Sequence, residues 1–350
     1  MDKRFRAGLV VGKFSPLHQG HVFLIKTALE QCQQVYLISY SLPELPGCGA
    51  ELRERWLADA FPQAHRLVVT PARVAAWQAE GRALADLPDN AAPDAAHRHF
   101  VGQLCLAVLE TTVDAVFTSE DYGNGFAAVL SQEFAAVGAG PVQHVQVDRA
   151  RLTVPISATR LRADIHGLRG YLAPGVYADF ARRICLLGGE STGKSTLAVA
   201  LAAALDTVSV AEYGRELWER QQGQLAYPDL LDIGREQVRR ERLAAESARH
   251  YLICDTSPLT TLFYCQHLFG RAEPELQTLA DQPYDLTLLC APDFPFVQDG
   301  TRQGVAFQAM QHAWYQAELA ARGIAYSLVQ GSVTERVART AKLLSDRFGK

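Results

Sequence analysis

Two stretches of this 350-residue chain carry side chains whose spacing suits phosphate chemistry. In GKFSPLHQGH, residues 12–21, His18 and His21 form an H-x-G-H arrangement between a strand-like run and a helix-like run. Two imidazoles at a helix N-terminus can hydrogen-bond a triphosphate and stabilise the charge that develops in nucleotidyl transfer, with no covalent intermediate. Gly12, Lys13 and Phe14 enter the same turn and are read as part of an ATP-binding loop. Metal binding is the rival reading, but H-x-G-H supplies two ligands at an unusual spacing and no H-E-x-x-H occurs. In ISATRLR, residues 156–162, Ser157 and Thr159 are placed to cap a helix, and Arg162 can reach phosphate from the same side one turn later.

The second device is Gly188-Gly189-Glu190-Ser191-Thr192-Gly193-Lys194-Ser195, followed by Thr196. It fits G-x-x-x-x-G-K-[ST] and lies between an apolar strand and an Ala/Leu-rich helix, the setting a phosphate-binding loop requires. Glycines let the backbone wrap the phosphates, Lys194 reaches the β/γ-phosphates, and Ser195 can ligate Mg²⁺. Asp255 ends the apolar run YLICD and is the candidate carboxylate for the metal or its waters. Glu212, Tyr213 and Arg215 follow another short strand and offer a carboxylate, an aromatic face and a cation to an acceptor substrate, with a solvated charged turn as the competing reading. The stretch APDFPFVQDGTRQG, residues 291–304, suits a lid that carries Arg302 over the transferred phosphate.

These residues need elements to hold them. Short Val/Ile/Leu-rich runs alternate with helical patterns in both halves, which predicts parallel sheets covered on both faces. Residues 73–99, rich in Ala, Pro and Asp, are a helical insertion or a loop over the site. Glycines and prolines at 167–175 precede a new strand and place a domain boundary near Arg182, giving domains 1–181 and 182–350. At 48% hydrophobic and 21% charged residues, each half can bury its own core. A formal charge of −4 gives no general attraction for DNA or an anionic membrane. The apolar run AGLVV near the N-terminus is too short for a signal core or membrane span. The cysteines, seven in number and scattered without a C-x-x-C pair, are read as buried thiols of a reducing compartment, the cytoplasm.

The pair H-x-G-H and I-S-x-T-x-x-R is similar to the nucleotidyltransferase superfamily. GESTGKST, EYGRE, DTSPLTT and PFVQDGTR, in that order, resemble the ribosylnicotinamide kinase domain of the NadR family. The resemblance implies an α/β chain: an N-terminal Rossmann-like nucleotidyltransferase domain followed by a P-loop NTPase-fold kinase domain. It implies phosphorylation of nicotinamide riboside with ATP and Mg²⁺, then adenylylation of nicotinamide mononucleotide to NAD and pyrophosphate. His18, His21 and Arg162 would serve the second reaction; Lys194, Glu212, Asp255 and Arg302 would serve the first. Asp255 is favoured for the metal and Glu212 for substrate. A coenzyme A-type transferase/kinase and a non-catalytic nucleotide sensor are the alternatives, and a homo-oligomer is left open.

Three departures from the family pattern carry expectations. Gly8 already lies in the first strand, so the helix-turn-helix domain of longer members, and with it DNA recognition, is expected to be missing. The family tryptophan that stacks on nicotinamide has only residues 97–100 as its counterpart, which implies weak mononucleotide binding. The usual D-T-D reads Asp255-Thr256-Ser257.

Overall fold

Apolar runs bounded by glycine and polar turns form the strands, and the helices between them cover both faces of each sheet. The computed structural model describes residues 3–298 and 302–349. The chain divides into two compact units, Met1–Val176 and Tyr177–Lys350, so the second unit takes in residues 177–181 ahead of its first strand.

In the first unit the order is β1 Phe5–Val11, α1 Gln19–Gln31, β2 Cys32–Ser39, α2 Ala50–Ala60, β3 His65–Val68, α3 Pro71–Ala79, α4 Asp94–Ala107, β4 Ala115–Thr118, α5 Gly123–Ala135, β5 Gln143–Gln146 and α6 Ala158–Ala163. The described residues form a five-stranded sheet ordered β3-β2-β1-β4-β5, parallel at every pairing. The order reverses beside β1, where the chain crosses from β3 to β4. A crevice at the carboxyl ends of the strands forms at such a point, and residues 12–21 occupy it.

Residues 73–99 combine both readings: α3, an irregular stretch, then the start of α4. Thr70 caps α3 by accepting the Arg73 N–H, with Pro71 in the first turn. The irregular stretch is tied down. The Asn90 N–H donates to the Leu42 carbonyl at 2.7 Å, the Ala85 N–H donates to Gln103 Oε1 at 2.8 Å, and Leu87 is buried. Helix α4 begins at Asp94, ahead of the run FVGQLCLAVLETT, and stops at Ala107.

The second unit contains β6 Arg182–Leu187, α8 Lys194–Ala204, β7 Val208–Val210, α9 Tyr213–Arg220, α10 Tyr227–Ala245, β8 Tyr251–Asp255, α11 Pro258–Phe269, α12 Pro274–Ala280, β9 Leu286–Cys290, α13 Val305–Ala321, β10 Tyr326–Val329 and α14 Val333–Phe348, with the short helix α7 Pro174–Tyr177 spanning the junction. Its sheet runs β10-β9-β6-β8-β7, again parallel. Alternation along β6 shows why the sequence reads as a continuous apolar run. Ile184 and Leu186 enter one core with Leu197 and Leu288, while Cys185 and Leu187 enter another with Leu262 and Tyr315.

The cysteines are unpaired and buried, and among the described residues no helix is long and apolar enough to cross a membrane.

Gly8 on β1 tests this packing. A Cβ there would lie 2.4 Å from Cys32 Sγ and 3.0 Å from the Phe117 ring. Gly8→Ala is expected to destabilise the first unit by about 1–3 kcal/mol, read as a fall of several degrees in its thermal unfolding midpoint.

Candidate functional site

In the first unit His18 is the N-cap of α1. Its Nδ1 accepts the N–H groups of Gly20 at 3.1 Å and His21 at 3.3 Å, while His21 Nδ1 accepts the His18 N–H at 3.5 Å. Since His18 Nδ1 accepts two N–H groups, its neutral ring carries the proton on Nε2, while the His21 ring also has the Pro16 carbonyl as a hydrogen-bond partner. The rings stack at a centroid distance of 3.7 Å. Gly20 is required because a Cβ would meet the His18 ring at 3.0 Å. Burial, then the charge of Arg151, pushes the His18 pKa down to about 4. His21 is held well below its ordinary value by burial and by its neighbour His18. At neutral pH the pair is uncharged and does not repel a divalent cation.

The loop around them is held from behind. Ser15 and Ser39 hydroxyls donate to the Lys13 carbonyl at 3.0 and 3.1 Å. The buried Arg53 donates to Ser39 Oγ at 2.8 Å, to the Cys48 carbonyl and to Glu44. Arg162 donates to the Ser15 carbonyl at 2.7 Å and to Thr159 Oγ1 at 3.2 Å. Ser157 caps α6 by accepting the Arg160 N–H. The loop conformation places Phe14 at φ 47° with its ring edge-on to His21. Lys13 is lowered by burial and by Arg162. His18, His21, Lys13, Phe14, Thr159 and Arg162 therefore belong to one constellation. Sequence reasoning missed Arg53 and Arg151. The charge of Arg151 reaches both imidazoles, and its side chain lines an open cavity of about 640 Å³ with Arg149, Asp94 and Tyr122. Within residues 97–100, His97 stacks on Tyr40 and shares a 3.0 Å hydrogen bond with its hydroxyl.

In the second unit the phosphate-binding loop joins β6 to α8. Gly188 sits at φ 147°, where a Cβ would lie 2.9 Å from the Cys290 carbonyl, and Gly193 at φ 79° caps α8. Thr192 Oγ1 and Lys194 Nζ both donate to the Gly189 carbonyl, at 2.8 and 2.9 Å. Glu190, expected among the nucleotide-binding residues, directs its polar groups into the protein. Its carbonyl accepts from Gln308, its N–H donates to Gln311, and its carboxylate accepts from the Tyr264 hydroxyl and the Gln303 N–H. Ser191 Oγ accepts from the Val297 N–H at 3.0 Å and from Arg302 at 3.2 Å. Arg302 thus touches the loop through Ser191, while residues 299–301 of the expected lid lie outside the described residues.

A further residue that the sequence did not mark is Arg336 on α14, fully buried. It donates to the carbonyls of Thr192 at 2.8 Å, Gly331 at 2.9 Å and Ala291 at 3.2 Å, pairs with Asp293, and stacks over Phe294 at 4.4 Å. An arginine in an amphipathic helix reads as a solvated charge, so sequence held no signal for it.

The loop opens onto a cleft of about 820 Å³ lined by Lys194, Ser195, Thr196, Glu212, Arg215 and Arg302. Asp255, 4% exposed, accepts the Ser195 hydroxyl, and its Oδ1 is buried with no hydrogen-bond partner among the described residues. Burial raises its pKa while Lys194 opposes the rise. Glu212 is pushed up to about 7, chiefly by burial, with Lys194 pulling down and Asp255 pushing up. Tyr213 is a correction to the expectation. Its ring lies under Arg240 at 4.3 Å and its hydroxyl accepts from Arg220, because its place on α9 faces α10 and not the cleft.

A hydroxyl and an unpartnered buried carboxylate oxygen beside a phosphate-binding loop fit Mg²⁺, which takes few protein oxygens and completes its shell with phosphates and water. Among the described residues no three His, Cys, Asp or Glu side chains cluster as a metal cage.

Fold and site define the class: a parallel α/β protein with a Rossmann-like first unit and a P-loop nucleotide-binding second unit, and an AAA domain family model matches residues 183–336. The chain is similar to NadR proteins along most of its length. It is 28% identical over 317 residues to the trifunctional NAD biosynthesis/regulator protein NadR of Escherichia coli strain K12, covering 84% of this chain and 71% of that protein. It shares its fold with a NadR protein solved in complex with NR, at 19% identity and TM-score 0.73, covering 99% of this chain and 97% of the other. A NadR protein solved in complex with NAD and AMP-PNP matches over the same shares at 20% identity and TM-score 0.68.

Two predictions follow from this geometry. His18 is neutral in the folded chain, with a pKa depressed from 6.5 to about 4. Its contribution to stability is complete above pH 6.5 and is lost as the pH falls towards 4, at no more than about 1.4 kcal/mol per pH unit. His18→Asn keeps a capping acceptor without the titration, so denaturant unfolding of the variant should lack that part of the acid-side slope. Arg336→Met removes the donor to three carbonyls and leaves Asp293 with the Gly331 N–H but without its ion pair; it is expected to cost about 3–5 kcal/mol of stability and to weaken ATP-analogue binding. Arg336→Lys should restore only part, since an ammonium cannot make the same fork of bonds. Thermal unfolding and fluorescence titration read both.

Proposed function

We propose that this protein works in NAD biosynthesis: the second unit phosphorylates nicotinamide riboside with ATP, and the first adenylylates the resulting mononucleotide to NAD, releasing pyrophosphate. The observation that supports the reading is that each unit sets its own constellation after its central strand, stacked imidazoles at the start of α1 in one and a P-loop beside two carboxylates in the other. The NAD-biosynthesis description of the E. coli relative and the ligands of the two NadR structures, NR in one and NAD with AMP-PNP in the other, support the choice of substrates.

In the kinase unit, Lys194 and Arg302 meet the charge of the transferred phosphoryl group, and the backbone N–H groups of residues 189–195 hold its oxygens. Ser195 and Asp255 would hold Mg²⁺, which supplies neutralisation of the β/γ-phosphate charge. Glu212, with a pKa near 7 in the same cleft, takes the proton of the riboside 5′-hydroxyl at neutral pH, where a carboxylate of ordinary pKa would be a weaker base. In the adenylyltransferase unit, His18, His21, Lys13 and Arg162 bind the triphosphate and stabilise the charge that builds on the α-phosphate as pyrophosphate leaves.

The reactions should separate by mutation. Lys194→Ala is expected to reduce riboside phosphorylation by about 100-fold or more while conversion of supplied mononucleotide to NAD persists, and His21→Ala is expected to do the reverse. Purified variants assayed for mononucleotide, NAD and pyrophosphate decide it. Equal loss of both activities in either variant, or no turnover by the wild type, would overturn the proposal.

A further inference from the structure

Glu212 poses a structural problem. It is the N-cap residue of α9, where a side chain is ordinarily used to satisfy exposed N–H groups, yet its carboxylate makes no capping hydrogen bond and lines the cleft. The missing acceptor comes from a different helix. Gln237 on α10, 2% exposed, accepts the Tyr213 N–H through Oε1 at 3.0 Å. Its other amide atom, Nε2, donates to Glu241 Oε1 at 3.4 Å, one turn along the same face of α10.

Glu241 is fully buried and lies outside the cleft. It accepts from the Tyr284 hydroxyl at 3.0 and 3.1 Å and from Gln282 Nε2 at 3.2 Å, so every neighbour named here is a donor. The Tyr213 N–H fixes the Gln237 amide. Rotated by half a turn, Gln237 would set Nε2 against the Tyr213 N–H, donor against donor, and lose the cap. The same face of α10 supplies Ile233, within 3.3 Å of where a Gly214 Cβ would stand, and Arg240 over the Tyr213 ring. A Cβ at 214 would press on the Ile233 side chain at 3.3 Å, so α9 is seated closely on this strip.

The geometry points to Gln237 as a positioning residue for Glu212, capping α9 in its place so that the Glu212 carboxylate stays directed into the acceptor end of the cleft, with Glu241 and Tyr284 locking the amide that does so. The inference rests on the kinase reading of Glu212, and its test separates the two.

The full-length protein is compared with Gln237→Leu, Gln237→Met and Glu241→Gln. ATP-analogue affinity and the unfolding midpoint report folding of each. Hydrogen exchange of the peptide holding the Tyr213 amide should speed by about ten-fold or more in both Gln237 variants and little in Glu241→Gln, whose amide oxygen can still accept from Gln237. For riboside phosphorylation, kcat should fall about ten-fold in the Gln237 variants with the KM for ATP unchanged, and Glu241→Gln should stay within about two-fold of wild type. Unchanged exchange at Tyr213 in the Gln237 variants would overturn the inference. So would faster exchange with kcat intact. A wild type without riboside kinase activity would overturn the kinase reading, and with it the role given to Glu212, even where the exchange result shows that Gln237 caps α9.

Discussion

A phosphate-binding turn must aim its N–H groups at the ligand, which leaves its carbonyls facing the protein, where an unpaired acceptor is costly. In both units arginines meet that demand. Arg162 takes the Ser15 carbonyl behind H-x-G-H, and Arg53 reaches the Lys13 carbonyl through Ser39. Arg336 takes the Thr192 carbonyl behind the P-loop. Guanidinium suits the task because it offers several donors in a rigid plane and stays charged throughout the accessible pH range. The loops are thereby shaped by bonds from within the chain.

Charge is then set by burial. On the first unit burial and arginine neighbours keep His18 and His21 neutral. On the second, burial raises Glu212 and Asp255 while Lys194 opposes the rise, so one strand-end region holds carboxylates and an ammonium in balance. The two turns differ in kind: the first unit sets stacked, uncharged imidazoles after its central strand, and the second an ammonium beside buried carboxylates.

Capping repeats as a positioning device. His18 and His21 cap α1 with the Nδ1 atoms that would otherwise compete for ligand. At α9 the cap is taken over by Gln237, and the residue at the N-cap keeps its carboxylate for the cleft. Helix termini that meet the ligand are thus satisfied either by the far side of a functional ring or by a neighbouring helix.

The sequence by itself determined the α/β class, both phosphate motifs with their strand-turn-helix setting and the burial of the thiols. Those are local facts: period, glycine at turns, and a capping serine each act within a few positions of chain. Only the tertiary structure decided that Glu190 braces the loop, that Tyr213 turns to α10, that residues 80–93 are pinned by Asn90 to the loop after β2, and that Arg53, Arg151, Arg336 and Gln237 stand behind the sites. Arg336 meets Thr192 across 144 positions of sequence and Gln237 meets Tyr213 across 24. At such separations a buried guanidinium or amide carries the same local signature as a solvated one, and its partner exists only once the sheet has brought the two segments together.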